Sequence, residues 1–330
     1  MTNRITRRSL MGALATASVP ALAMDVENYL RLGLDKSFLD LGLDAEVNGR
    51  SNMEALEALD VPGDRQYHPC PEAHPGPDVP RGTVREFLRW DRTRIYEGTV
   101  RDVWIYLPEQ LESPTAPSLM VFLDGDIYLD PNGPVRTTAV LDSLIHAGEL
   151  PPTIAVFVMP GRRAGMTEDE ATINRSMEYD SVTPTHVQFL VDELLPFVES
   201  EAGVRFPEDP AMRLICGISS GGICAFNAAW HDPSAFGRVL SHVGSFVNIR
   251  GGHNYPYLIR STPRKPLRVF LQSGERDLNI IFGNWPLANQ LMASGLEYAG
   301  YEYRYVFGEG GHSLYHGGAV FADSLRWLMG

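Results

Sequence analysis

A chain of 330 residues, 44% of them hydrophobic and 10% aromatic, has enough apolar side chains to bury a large core in one big domain or two smaller ones. Charged residues make up 21%, which excludes the composition of a disordered chain. The formal net charge of −13 argues against a nucleic-acid or anionic-membrane surface, because those partners need a basic patch, and favours a neutral substrate or one with cationic parts.

Residues 1–23 read as a targeting segment rather than as part of the fold. The arginine pair Arg7-Arg8 precedes a moderately apolar run that ends in Ala21-Leu22-Ala23. This order is typical of a cleavable export signal of the twin-arginine type. The apolar run is too short and too rich in Ala and Ser to span a bilayer. We therefore expect a periplasmic or secreted protein with no stable membrane anchor.

Residues 24–80 are expected to form an N-terminal extension and a connector. The stretch "NMEALEALD" has a helical pattern, and six prolines follow between Pro62 and Pro80. Prolines at that density preclude a helix or a central strand, so we expect an extended connector or a surface wrap.

From residue 81 to residue 330 the pattern changes to alternating strands and helices. Two alternating segments, "VREFLRW" and "VRDVWIYLP", predict half-buried antiparallel strands. Continuous apolar runs follow and predict strands covered on both faces: "SLMVFLDG", "TIAVFVMPG", "MRLICG" and "LRVFLQSG". Amphipathic helices are predicted between them, so the sequence indicates an α/β sandwich with a mostly parallel central sheet. In such sheets, functional residues gather at the carboxyl ends of the strands.

The sequence Gly217-Ile218-Ser219-Ser220-Gly221 matches the G-x-S-x-G pattern of a nucleophile elbow. A predicted strand precedes it and an Ala-rich helix follows, as that turn requires. The residues two before and two after the nucleophile must be small. For Ser219 these residues are Gly217 and Gly221, whereas for Ser220 the residue two before would be the bulky Ile218. Ser219 is therefore the predicted nucleophile, and a glycine-rich loop without chemistry is the alternative.

A nucleophilic serine needs a base and an acid, in the chain order Ser, acid, His. Asp277 follows the predicted strand "LRVFLQSG" and is the predicted acid, with Glu275 as its competitor. His312 follows Gly-Gly after the alternating segment "YEYRYVFG" and is the predicted base. The competing histidines are less suitable, since one falls in the last predicted helix and two lie too early in the chain: His316, His242 and His253.

Acyl transfer also needs N–H donors for an oxyanion. The backbone N–H of Ser220 is one expected donor, and that of Asp126 is the other, because Gly125 before it permits an unusual backbone angle. A plain turn is the alternative for Asp126. Trp285 is a candidate wall of the substrate pocket, with a core position equally open.

Neither the cysteines nor the histidines indicate a metal site. Cys216 and Cys224 flank the serine turn on apolar elements and are expected to pack as small apolar groups. His312 and His316 are four residues apart, but no third ligand is evident near them. Serine-based acyl transfer needs no cofactor, and we expect neither a cofactor nor a metal.

Five segments, "FLDGD", "ELLPFVE", "GISSGG", "SGERD" and "GGHS", stand in an order that resembles the esterase family of α/β-hydrolases. This family includes enterochelin-esterase-like enzymes, esterase D, and feruloyl and acetylxylan esterases. The resemblance covers most of residues 81–330 and implies a three-layer α/β-hydrolase domain. It implies triad positions at Ser219, Asp277 and His312, and oxyanion positions at Asp126 and Ser220.

The resulting prediction is an exported serine esterase that acts on a small-molecule ester. Enterochelin esterases with an N-terminal β-sandwich differ from this chain, whose residues 24–80 are too few for such a domain. Three alternatives stay open: an acyltransferase with the same triad, a siderophore trilactone esterase, and a non-catalytic binding protein on a hydrolase scaffold. The oligomeric state is not indicated.

Overall fold

A computed structural model describes residues 46–47, 50–51, 61–111 and 117–330. The predicted export signal and the predicted helix "NMEALEALD" lie outside the described residues. Two short strands, β1 (Glu46–Val47) and β2 (Arg50–Ser51), pair as an antiparallel hairpin.

An eight-stranded sheet forms the centre of the described chain. The strands are β3 (Thr83–Trp90), β4 (Arg101–Leu107), β5 (Ser118–Leu123), β6 (Thr153–Val158), β7 (Arg213–Ile218), β8 (Arg238–His242), β9 (Arg268–Gly274) and β12 (Glu302–Gly308). Their spatial order is β12-β9-β8-β7-β5-β6-β4-β3, and only the pairs β3–β4 and β4–β6 of this sheet are antiparallel. The small strands β10 (Asn279–Ile280) and β11 (Gly283–Asn284) form a separate hairpin after β9.

Helices cover both faces of this sheet. Along β5, Leu119, Val121 and Leu123 belong to one buried cluster, whereas Met120 and Phe122 belong to another on the opposite face. The helices are α1 (Gly125–Leu129), α2 (Thr137–His146), α3 (Glu168–Tyr179), α4 (Thr185–Phe189), α5 (Leu195–Ala202), α6 (Ser220–His231), α7 (Tyr255–Ser261), α8 (Trp285–Tyr298), α9 (Tyr315–Ala319) and α10 (Phe321–Met329), with a π-helical turn (Leu190–Leu194) joining α4 to α5. The predicted three-layer α/β sandwich with a mostly parallel sheet is confirmed.

The proline-rich segment wraps onto this sandwich instead of standing apart from it. It contains two short 3-10 turns, Pro62–Gln66 and Pro71–Ala73, each of which begins with proline. Cys70 and Ala73 are buried in the cluster beneath α2 and α10. Within the described ranges, no helix is long and apolar enough to cross a membrane.

Candidate active site

The turn at Ser219 has the backbone geometry of a nucleophile elbow. Strand β7 ends at Ile218, α6 begins at Ser220, and Ser219 between them has φ 58° and ψ −119°. Such a positive φ is costly for a residue with a side chain and persists only where its surroundings enforce it. Here the Ser219 N–H donates to the carbonyl of His242 at 2.9 Å, and the Ser219 carbonyl accepts from the N–H of Ser245 at 3.0 Å. The chain following β8 thus holds the turn in place.

The glycines around this turn are required by close approaches. A Cβ on Gly217 would collide with the backbone of Gly221. A Cβ on Gly221 would lie 2.7 Å from the carboxylate of Asp124, and one on Gly222 would lie 2.7 Å from the hydroxyl of Ser241. The helix can therefore start directly above the sheet only because these side chains are missing.

The three predicted triad side chains meet at the carboxyl ends of their strands. His312 Nε2 lies 2.8 Å from Ser219 Oγ, and His312 Nδ1 lies 2.6 Å from Asp277 Oδ1. The Asp277 side chain is fully buried and the imidazole is 11% exposed. A carboxylate can only accept from Nδ1–H, which leaves Nε2 free to accept the proton of Ser219. The arrangement can therefore perform nucleophilic catalysis.

The competing acid lies away from the imidazole. Asp277 Oδ1 also accepts the N–H of Leu278 at 2.7 Å, which fixes the carboxylate. Glu275 has a half-exposed side chain, 3.6 Å from the guanidinium of Arg276. Of the two acids left open by the sequence, Asp277 is the one beside His312.

Two of the three competing histidines have other partners, and the third lies at the surface. The ring of His316 stacks on that of Tyr67 with centroids 4.2 Å apart. His242 is buried, with Nδ1 2.8 Å from the hydroxyl of Tyr128, and burial lowers its pKa to about 3, so it stays neutral. His253 is exposed in the turn before α7.

Ser245 contacts the nucleophile and was not identified from the sequence. Its Oγ lies 3.2 Å from Ser219 Oγ, and it accepts the indole N–H of Trp285 at 3.2 Å. The Trp285 ring also packs edge-on against His312, with centroids 5.8 Å apart. Trp285 is only 2% exposed, so it supports the site from inside the protein rather than lining an open pocket.

The hydrogen bonds that link Trp285, Ser245, Ser219 and His312 have a defined donor and acceptor at each step. An indole N–H can only donate, so Ser245 accepts from Trp285. The Ser219 proton is directed to His312, and Ser245 therefore donates its own proton to Ser219 Oγ. One lone pair of Ser219 Oγ accepts this hydrogen bond, which leaves a single lone pair with which this oxygen could attack a substrate.

The loop after β5 places the second expected oxyanion donor. The left-handed backbone angle belongs to Asp124, with φ 54°, and not to Gly125 as expected from the sequence. Gly125 is needed for packing, because a Cβ there would lie 2.6 Å from the backbone of Phe157. Asp126 is the second residue of α1 and Ser220 is the first of α6, and N–H groups in a first helical turn have no intrahelical acceptor.

Charged side chains fix the same loop from behind. Arg175 donates two hydrogen bonds of 2.7 Å to the carboxylate of Asp124. Burial disfavours the charge of Arg175, but the carboxylate outweighs burial and raises the guanidinium pKa. Burial and the nearby negative charge of Asp124 raise the pKa of Asp126, whose carboxylate accepts the N–H of Ile127 at 2.8 Å. The bidentate pair orients Asp124, the residue that directly precedes α1.

A cleft of about 650 Å³ opens beside this loop. Charges of both signs line it together with apolar groups, including Asp126, Met159, Pro160, Arg162, Arg163 and Glu168. Arg162 and Glu168 form an ion pair of 2.7 Å across the rim. Asp126 is the proposed oxyanion donor that lines this cleft, which is large enough to accept a small molecule.

The two cysteines beside the Ser219 turn lie in the protein interior. Cys216 and Cys224 are buried, and burial raises the pKa of both thiols, so they pack as neutral groups. In the part of the chain that the structure describes, no group of three or more His, Cys, Asp or Glu side chains is arranged to hold a metal ion.

Known proteins with similar sequences are esterases. Residues 97–316 match the model of the family described as "Putative esterase". The iron(III) enterobactin esterase of Dickeya dadantii (strain 3937) is 29% identical over 270 residues, which cover 77% of this chain and 56% of that protein. The iron(III) enterobactin esterase of Escherichia coli (strain K12) is 30% identical over 263 residues, or 76% and 58% of the two chains. This chain thus spans less than two thirds of the length of these relatives.

Solved structures show the same fold. The enterobactin esterase of Shigella flexneri, crystallised in the presence of enterobactin, has a TM-score of 0.60 and 25% identity, covering 77% of this chain and 62% of its own. A ferulic acid esterase of Anaeromyces mucronatus has a TM-score of 0.58 with coverage of 79% and 97%, but its 14% identity shows the fold alone. The family model matches residues 97–316, and the similar proteins include enterobactin esterases. The chain therefore belongs to the enterochelin-esterase-like esterase family of α/β-hydrolases.

Proposed function

We propose that this chain is an exported serine esterase that hydrolyses a carboxylic ester through Ser219, His312 and Asp277. One observation carries the proposal: Ser219 Oγ lies 2.8 Å from His312 Nε2 while His312 Nδ1 lies 2.6 Å from Asp277. Family membership supports ester hydrolysis as the reaction. No cofactor takes part in the proposed chemistry.

Acylation begins when Ser219 Oγ attacks the ester carbonyl and its proton passes to His312 Nε2. Asp277 keeps the imidazole oriented and stabilises its charged form. The N–H groups of Ser220 and Asp126 donate to the oxyanion of the tetrahedral intermediate. The intermediate collapses as the alcohol leaves with the proton from His312, and Ser219 retains the acyl group.

Deacylation repeats these steps with water as the nucleophile. His312 takes a proton from water, the hydroxyl adds to the acyl carbon, and the same two N–H groups receive the oxyanion. Ser219 Oγ then leaves and regains its proton from His312, with Ser245 donating to that oxygen throughout. The carboxylic acid is released and the enzyme is restored.

A siderophore trilactone is the more specific substrate that we propose within the class of carboxylic esters. The similarity to iron(III) enterobactin esterases over about three quarters of this chain favours a siderophore trilactone as the ester. A library with feruloyl, acetyl-sugar and trilactone esters would rank the classes by kcat/KM. A preference for the trilactone of at least about 100-fold would assign the siderophore role.

Export is proposed from the sequence alone. Residues 1–23 carry the twin-arginine pattern and small-residue triplet of a cleaved signal. Cell fractionation with N-terminal sequencing of the mature protein tests it: we expect the periplasm or medium and a start near Met24. An uncleaved cytoplasmic protein would refute it.

Covalent labelling tests the catalytic proposal. A fluorophosphonate should label wild-type protein at Ser219, and a short-chain p-nitrophenyl ester should be turned over by the wild type but not by Ser219→Ala. Absence of both labelling and turnover would favour a binding protein on a hydrolase scaffold. An alcohol added as acceptor distinguishes hydrolysis from acyl transfer, since a transferase would form the new ester in preference to the acid.

A further inference from the structure

Residues 61–67, the brace segment, lie against residues 308–312, the glycine-rich loop that ends in His312. The carboxylate of Asp64 accepts the backbone N–H of Gly311 at 3.1 Å, and this hydrogen bond is buried. Asp64 itself is only 6% exposed. A buried carboxylate is thus bonded to the residue directly before the imidazole.

Two further contacts join the same two segments. The hydroxyl of Tyr67 accepts the N–H of Glu309 at 3.0 Å, and its ring stacks on His316 at the start of the next helix. The side-chain amide of Gln66 donates to the Glu309 carboxylate at 3.2 Å. The brace segment therefore contacts the chain on both sides of His312: the glycine-rich loop before it and His316 after it.

The other side of the loop is held by the residues that lead to Asp277. The N–H of Glu275 donates to the carbonyl of Gly308 at 2.8 Å, and that of Arg276 donates to the carbonyl of Gly310 at 3.2 Å. The loop lies between the acid's own loop on one side and the brace segment on the other. Loss of the brace leaves only one of these two supports.

Glycine makes the loop dependent on such support. A Cβ on Gly310 would lie 2.7 Å from Asp64 Oδ1, and one on Gly311 would lie 2.7 Å from a methyl group of Val61. The close approach thus excludes side chains, and glycine backbones have the greatest conformational freedom to lose. The close packing of the brace segment that requires glycine at positions 310 and 311 also restricts the backbone conformations open to these two glycines.

We propose that Asp64 is a positioning residue for the reaction: its bond to Gly311 holds His312 within reach of both Ser219 and Asp277. The brace segment lies outside residues 97–316, the part of the chain that matches the family, so this support belongs to the N-terminal extension of this chain. The inference rests on the proposed esterase function. A shift of about 1 Å in such a site costs about 100-fold in rate.

The test compares two buried carboxylates in the full-length chain. Asp64→Ala removes the acceptor of Gly311, whereas Asp64→Asn keeps an acceptor oxygen. Asp142→Ala is the matched control, because Asp142 is also buried and accepts the N–H of Gly82 at 2.8 Å, but none of its hydrogen bonds reaches the His312 loop. Unfolding curves establish the temperature at which every variant is folded.

Three readouts separate positioning from general loosening. We expect Asp64→Ala to lower kcat on a p-nitrophenyl ester about 10- to 100-fold with KM changed less than about twofold, and Asp64→Asn to restore kcat to within about threefold. The Asp142→Ala control should keep kcat. The low-field NMR signal of the proton between His312 and Asp277 should shift or broaden in Asp64→Ala only. A smaller change, Tyr67→Phe, removes the second acceptor and should lower kcat by a few-fold even if Asp64→Ala folds poorly.

Two results would overturn the proposal. One is an unchanged kcat in folded Asp64→Ala or, if that variant does not fold, in Tyr67→Phe. The other is an equal loss in Asp142→Ala, which would mean that any destabilisation has this effect. An inactive wild type that is not labelled at Ser219 would instead defeat the esterase proposal, and the NMR signal would still decide whether Asp64 orders the imidazole.

Discussion

Replacing Ser245 by alanine removes a hydroxyl that two neighbours use. Trp285 donates its indole N–H to it, and it donates in turn to Ser219 Oγ, each across 3.2 Å. The substitution therefore acts on stability through the indole and on the reaction through the nucleophile. These two effects can be measured separately.

The stability effect follows from burial. Trp285 is 2% exposed, so water cannot replace the lost partner of its N–H. A buried donor without a partner costs about 1–3 kcal/mol, which is the expected fall in the free energy of unfolding of Ser245→Ala. The double variant Trp285→Phe/Ser245→Ala has no unpaired indole N–H. Its loss in free energy of unfolding should therefore be smaller than the summed losses of the two single variants, by about 1–3 kcal/mol.

The effect on rate follows from the contact with the reacting oxygen. As Ser219 loses its proton, the hydrogen bond from Ser245 stabilises the negative charge that grows on Oγ. If this adds about 0.5–1.5 kcal/mol in the transition state, losing it should slow acylation about two- to twelvefold. Unlike stability, the rate should not recover in the double variant. Stopped-flow bursts with p-nitrophenyl acetate measure acylation, and urea unfolding measures stability. Unchanged burst rates in Ser245→Ala, or strictly additive stabilities, would refute the reasoning.

Two further predictions concern acids near the site. Asp277→Asn should lower kcat by about 10³- to 10⁴-fold, because the amide no longer fixes the imidazole tautomer, while Glu275→Gln should cost less than about threefold; steady-state kinetics of both variants check this, and the reverse order would move the acid to Glu275. Burial raises the pKa of Asp180 to about 6, with Arg175 offsetting only part of the shift. The folded state therefore binds this proton more tightly than the unfolded chain, and stability falls by up to about 2–3 kcal/mol as pH rises from about 4 to above 6. Urea unfolding at pH 4.5 and 7.5 should show that Asp180→Asn lacks this decrease, and an identical pH dependence in both proteins would contradict the assignment.

Of the eight strands described in the central sheet, the sequence predicts seven and gives no signal for β8. In β8, Ser241 and His242 are fully buried, the latter against the hydroxyl of Tyr128. A run of apolar residues predicts a buried strand only where the buried side chains are themselves apolar. The polar side chains of β8 interrupt that pattern, so the sequence gives no signal for this central strand. Ser245 follows that strand and was missed for the same reason.

Other features depend on contacts between distant parts of the chain. Asp277 and Glu275 are two residues apart after one strand, and spacing alone could not decide between them. Only the folded loop shows that the side chain of Glu275 is half-exposed and that of Asp277 buried. The bond from Asp64 to Gly311 joins residues 247 apart, which no local pattern reports.

The proposed nucleophile and its proposed base follow strands that the sheet holds to different degrees. Ser219 follows β7, which has a hydrogen-bonded neighbour on each side, whereas His312 follows β12, an edge strand for which the described residues provide β9 as the single partner. Outer strands open locally at a lower free energy than inner ones. We therefore expect gentle heating to stop the proposed reaction reversibly while most of the described sheet stays native, so the temperature at which activity is lost should lie below the melting temperature of the protein.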